Sequence, residues 1–154
     1  MKHLTKIQTE FLHKKNIRTL GKTKLIVFPF GLGGQALLES PNKENDALSL
    51  INLAMEHGIN YFDTAVAYGP SRYYLGLAFN KTNRNEVIIA SKTDKRDYLG
   101  AKHDLDESLE LLRTDYIDIL QLHAIEKEQD LVALMKNGAI KLLLEVKVFD
   151  PAFV

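Results

Sequence analysis

A chain of 154 residues, 45% hydrophobic and 26% charged, has the make-up of one soluble globular domain, able to bury about two thirds of the surface its unfolded form exposes. Its 20 basic and 20 acidic residues balance, which argues against nucleic-acid binding through clustered excess charge. Cysteine is absent, which excludes disulfides, thiol nucleophiles and thiolate zinc sites, and no metal site is expected.

No apolar run approaches transmembrane length, and Met1–Lys15 lacks a signal-peptide stretch, so the expectation is a cytoplasmic protein with no membrane or nucleic-acid partner. Residues 1–16 are polar with scattered Leu4, Ile7, Phe11 and Leu12, and read as an N-terminal extension, either a short helix or a loose arm. A single domain is expected over 17–154. Ile17–Leu20 and Lys24–Val27 flank Gly21-Lys22-Thr23 and read as a β-hairpin. Pro29 breaks that pattern, and Phe30–Gly33 suits a short buried strand.

From there the chain alternates. Residues 46–57 have helical apolar spacing, with Gly58 as the stop. Ile59–Phe62 reads as a strand, 71–80 as a helix and Glu86–Ser91 as a strand. Residues 102–113 form a helix with Leu105, Leu109 and Leu112 on one face and Asp106, Glu107 and Glu110 on the other. Tyr116–Leu122 is a strand, 126–137 a helix ended by Gly138, and Ile140–Val148 a strand or an apolar tail. Strands alternating with helices imply an α/β fold with a parallel sheet, here a hairpin plus about four to five βα units. An eight-unit α/β barrel takes about 250 residues, more than this chain contains.

Parallel α/β folds put their chemistry at the C-terminal strand ends, where the βα loops emerge. There the sequence has Asp63 with Tyr68 in the following loop, then Lys92, then His123. Asp63, Lys92 and His123 are spaced by about 30 residues, one βα unit, so they should stand side by side on one rim. The set has chemical meaning. A carboxylate keeps a neighbouring lysine charged, and a lysine cation beside a tyrosine favours loss of the phenolic proton. Such a tyrosine can act as a general acid, and a histidine can orient a substrate carbonyl. No side chain supplies hydride, so reduction would require a nicotinamide.

Taken singly, each residue has a plainer reading. Asp63 would serve as a turn cap, Tyr68 beside Gly69-Pro70 as a packing aromatic, Lys92 as a solvated charge and His123 as a structural histidine. Gly31-Leu32-Gly33-Gly34-Gln35-Ala36 formally fits the G-x-G-x-x-A dinucleotide pattern. Ser40-Pro41-Asn42 separates it from the next helix, however, whereas that fingerprint needs the helix to open at the glycines.

Phe62-Asp63-Thr64-Ala65, Tyr68-Gly69 and Leu75-Gly76 resemble the signature of the aldo-keto reductases. Ile89-Ala90-Ser91-Lys92 resembles their lysine strand. Leu112–Asp118 followed by Gln121-Leu122-His123 is similar to their histidine strand, and Arg18–Thr23 to their hairpin. The resemblance runs from about residue 17 to 143. It implies a partial TIM (β/α)8 barrel, its N-terminal half, and NADPH-dependent reduction of an aldehyde or ketone. Within that family Tyr68 would be the acid, Lys92 its modulator, Asp63 the partner of Lys92 and His123 the substrate orienter. Gly33, Gly34 and Asp63 would contact the cofactor.

Two departures stand out. Ser71 is followed by Arg72 where the family has an acidic residue, so an anionic partner is expected to be lost. Asn137–Lys141 looks like the approach to a fifth strand, yet Leu142–Val154 departs from that pattern. The half-barrel leaves two readings: a reductase completed by self-association or another chain, or a non-catalytic remnant or binding module lacking most of the cofactor site.

Overall fold

The computed structural model describes residues 17–79 and 83–146; the expected 1–16 extension lies outside them. Strands β1 (Arg18–Thr19) and β2 (Ile26–Val27) pair antiparallel as the expected hairpin, with Gly21 in the left-handed region at φ 54°. The Asn60 side chain accepts from Phe28 N (2.9 Å) and donates to Ile26 O (2.8 Å). It thereby ties the hairpin to the residue just before the next parallel strand, at the end of the sheet opposite the strand C-termini.

Four strands follow, β3 (Gly31–Gly33), β4 (Tyr61–Asp63), β5 (Ile88–Thr93) and β6 (Ile119–Leu122), forming one parallel sheet in that order. Helices α1 (Glu44–Glu56), α2 (Ser71–Ala78), α3 (Tyr98–Leu111) and α4 (Glu128–Asn137) succeed them in turn. The result is four βα units of a partial TIM barrel. A 3-10 turn over Arg84–Glu86 leads into β5, so that strand begins later than expected and takes in Lys92 and Thr93.

Alternation along the strands sorts the side chains. Phe62 and Ile89 point into the helical layer and join Leu38, Ala47, Ile51, Leu75, Phe79 and Leu112 in the main core. The Phe62 and Phe79 rings meet edge-on at 4.8 Å. Tyr61, Asp63 and Lys92, of opposite parity, border the concave face. Gly76 lets α2 approach α3: a methyl there would collide with the Leu111 carbonyl.

Helix α3 differs from its expected face. Asp97 caps it by accepting from Gly100 N (2.9 Å), and its first residue, Tyr98, is four positions before the expected start at 102. Its buried stripe is Ala101, Asp104 and Ser108, continued by Leu112 just past its last residue, whereas Leu105 and Leu109 are only half-buried. Polar partners explain this. Thr93 Oγ1 donates to Asp104 (2.6 Å), and Arg72 donates to Ser108 Oγ (3.0 Å) and Glu107 (2.9 Å). Arg72 is therefore not left without an anion: Glu107, expected on the outer face, reaches back to it.

The expected strand or tail after 140 is instead a helix, α5 (Ala139–Val146). Gly138 (φ 95°) ends α4 as expected, and the chain turns so that Ala139 and Leu142 pack with Ala101 and Leu134 in a second, smaller cluster. Lys141–Glu145 is a run of residues with no branching at Cβ, suited to a helix, and Tyr98 Oη donates to Glu145 (2.6 Å) to hold it. No fifth strand pairs with β6 among the described residues, and no helix among them is long and apolar enough to cross a membrane.

Candidate active site

Strand β5 is the spine of the rim. Thr64 N donates to Ala90 O (2.8 Å) and Val66 N to Lys92 O (3.3 Å), drawing the loop after β4 across the end of β5. His123 N donates to Thr93 O (3.0 Å), which brings the exit of β6 alongside from the other direction. The loop carrying Tyr68 is a compact double turn. Tyr68 N donates to Ala65 O (3.2 Å), Ser71 N to Tyr68 O (3.0 Å), and the buried Thr64 and Ser71 hydroxyls join at 2.9 Å. Gly69 (φ 46°) permits close passage past Glu39, whose carbonyl a Cβ would meet at 2.5 Å.

All four expected catalytic residues converge. Lys92 Nζ donates to Asp63 Oδ1 (2.5 Å) and to Thr64 O (2.9 Å). The ammonium lies 4.8 Å from the centre of the Tyr68 ring, over its face, within cation–π range. Tyr68 Oη is 3.5 Å from His123 Nε2, and the two rings are edge-on at 5.5 Å. The Lys92 and Asp63 side chains are 13% and 30% exposed, which makes this ion pair partly desolvated while leaving it open to a small molecule. Tyr61 also borders this face. Burial, and then the Asp63 charge, push its phenol above the ordinary value of 10.0, so it is poorly suited to give up a proton.

The three expected cofactor contacts behave differently. Gly33 is the register partner of Asp63, and a Cβ added to it meets nothing within 4 Å. Open space beside a carboxylate at a parallel strand end suits a hydroxyl-bearing ligand such as the ribose of a nucleotide. At Gly34, in contrast, a side chain would collide with Ser71 Oγ and the Asp63 carbonyl. The packing of the Tyr68 loop accounts for that glycine. Among the described residues no cluster of side chains could hold a metal ion.

Sequence reading missed Asp94 and Arg96. Asp94 Oδ1 lies 2.7 Å from His123 Nδ1, and Arg96 donates to the carbonyls of His123 and Ala124, each at 3.0 Å. The signal was available for Asp94: it stands two positions beyond Lys92, and period-2 alternation directs both toward the same side.

With this geometry in view, the sequence matches the Aldo/keto reductase family over residues 29–146. The chain belongs to the aldo/keto reductase family. It is 36% identical to L-galactose dehydrogenase of Arabidopsis thaliana over 125 residues, which cover 73% of this chain and 39% of that protein. It is 37% identical to an uncharacterized oxidoreductase of Bacillus subtilis, covering 69% of this chain and 38% of that one. Among solved structures, a Pseudomonas aeruginosa protein assigned to the aldo-keto reductases superposes with a TM-score of 0.75 at 29% identity, over 88% of this chain and 56% of that one. The chain thus spans about two fifths of the length of the curated relatives it matches and about half of that solved structure.

Proposed function

We propose that this chain provides the catalytic rim of a cytoplasmic, NADPH-dependent reductase of small aldehydes or ketones. The supporting observation is the convergence of four groups: Lys92 bonded to Asp63 at 2.5 Å and seated over the Tyr68 ring, with Tyr68 Oη 3.5 Å from His123 Nε2. A substrate carbonyl oxygen at this rim meets the Tyr68 hydroxyl, which donates its proton as hydride reaches the carbon. The Lys92 cation stabilises the negative charge left on the phenol oxygen, and Asp63 keeps Lys92 charged and fixed. His123 stands 3.5 Å from Tyr68 Oη and, in its imidazolium form, donates to the same carbonyl oxygen and limits its orientations. A nicotinamide, when bound, would supply the hydride, and Gly33 and Asp63, with open space over the glycine, would hold its nucleotide.

The four-stranded sheet favours a completed assembly. Among the described residues β3 and β6 each pair with one neighbour in the parallel sheet, and an open strand edge of this kind supports pairing with a second copy or another chain. The competing reading is a binding module that retains the rim without turnover. NADPH fluorescence titration of the purified chain, with sedimentation in parallel, separates the two. Saturable binding in a dimer or larger species supports the reductase. Absence of binding up to millimolar cofactor, in a stable monomer, rejects it for this chain alone.

A further inference from the structure

The proposed reaction does not use Asp94, yet Asp94 decides which atom of His123 faces the rim. Its carboxylate lies 2.7 Å from His123 Nδ1. An ionised carboxylate only accepts hydrogen bonds, so the hydrogen between them sits on Nδ1. In the neutral ring Nε2 then has no hydrogen and is an acceptor. The 3.5 Å contact between Tyr68 Oη and Nε2 therefore runs from the phenol hydroxyl to the imidazole. We propose that Asp94 is a positioning residue, holding His123 in the Nδ1–H tautomer so that Nε2 receives the Tyr68 hydroxyl hydrogen.

Three features support a built arrangement. The His123 side chain is 23% exposed and Asp94 41%, so the pair sits at the lip of the rim and not in bulk solvent. The Arg96 guanidinium grips the carbonyls of His123 and of Ala124, a non-glycine residue at φ 50°, which fixes the backbone from which the ring projects. The strand pairing Thr93↔Leu122 sets the exit of β5 beside the exit of β6, so Asp94 and His123 are immediate neighbours across that pair. The arrangement has a chemical consequence, which rests on the reductase reading. A carbonyl oxygen has no hydrogen to offer, so the neutral ring leaves it to Tyr68. Only the imidazolium, whose Nδ1–H Asp94 still accepts, also donates to it through Nε2.

The tautomer is read directly by long-range 1H–15N correlation on 15N-histidine-labelled chain, at a pH where the ring is neutral and without cofactor or substrate. The sequence has five histidines, and His123→Gln assigns the resonance by its loss. In the unaltered protein the expected pattern is a protonated Nδ1 and an unprotonated Nε2. Asp94→Ala should move the population to the Nε2–H form. Asp94→Asn, whose amide oxygen remains an acceptor, should restore Nδ1–H. Protonated Nε2 in the unaltered chain, or an Asp94→Ala spectrum identical to it, overturns the proposal. Failure to bind NADPH with the Nδ1–H signature intact would reject the reductase reading while leaving this one standing.

Discussion

Around β4 and β5 the helices bury Ile51, Phe62, Leu75, Phe79 and Ile89 in one continuous cluster, and two buried cations, Arg72 and Arg84, each donate to a carboxylate there. Beyond β6 the buried apolar set, among the described residues, is Leu134, Ala139 and Leu142 against Ala101 of α3. The same outer region exposes Val132 at 58%, Met135 at 73% and Leu144 at 63%. Asp63, Lys92 and the Tyr68 loop stand on the well-packed side, and His123 sits at the boundary. A rim needs rigid support, and this one has it on three of its four members.

The polar interior sharpens the contrast. Arg84, 7% exposed at its side chain, donates to Asp118 (2.8 Å), to Thr114 and to the Val87 and Tyr116 carbonyls, and lies 3.9 Å from the Tyr116 ring centre. Asp118 also accepts from Ile89 N (2.9 Å). This network joins the start of β5 to the approach of β6. It fixes the relative heights of Lys92 and His123 from the opposite end of the sheet.

The largest expected effect is on chemistry. In any assembly that reduces a small aldehyde with NADPH, Tyr68→Phe should lower kcat by about 100-fold or more, because the ring stays and only the proton donor goes. Turnover within a few-fold of the unaltered protein would remove Tyr68 from the acid role. On stability, Phe62→Ala should cost about 3–5 kcal/mol in urea unfolding, by opening a cavity where the ring is fully buried against Phe79. Arg84→Ala should follow at about 3 kcal/mol, since Asp118 would be left buried without its cation.

The outer region should respond less and locally. Leu134→Ala is expected to cost about 2 kcal/mol, at the low end for a buried leucine because its surroundings are open enough to relax. Hydrogen exchange should quicken in α4 and α5 while β4 and β5 keep their protection. Equal loss of protection in both regions would mean that they unfold as one unit. The smallest effect is acid fraying of α4. Asp130 accepts from the backbone N–H of Glu126 and Lys127, which lowers its carboxyl below 3.8. A group depressed on folding stabilises above its unfolded value and loses that contribution as pH falls through the folded one. Fraying should therefore appear only below about pH 4 and lose its pH dependence in Asp130→Asn.

Much of this was legible in the chain. The hairpin, the four strands and the helices between them follow from turn glycines and from apolar spacing, both local signals. Asp63, Lys92 and His123 were placed on one rim because unit spacing converts sequence distance into adjacency. The stripe on α3 was misread because Asp104 and Ser108 are polar, and only Thr93 and Arg72, brought in from other units, make their burial favourable. The helix at 139–146 was misread because an apolar run of that length suits either a strand or a helix. The docking surface of Ala101 and Leu134 decided between them.

The sequence by itself determined the order of the βα units, the family and the four groups at the strand ends, since each is carried by periodicity or by short motifs. Only the tertiary structure decided what those groups touch. Lys92 bonds Asp63 and faces the Tyr68 ring, Arg72 reaches Glu107, and Asp94 takes the far nitrogen of His123. These pairings join residues about 25–35 positions apart, and hydrogen bonds of a few ångströms are fixed by strand register and loop path, which no local pattern encodes.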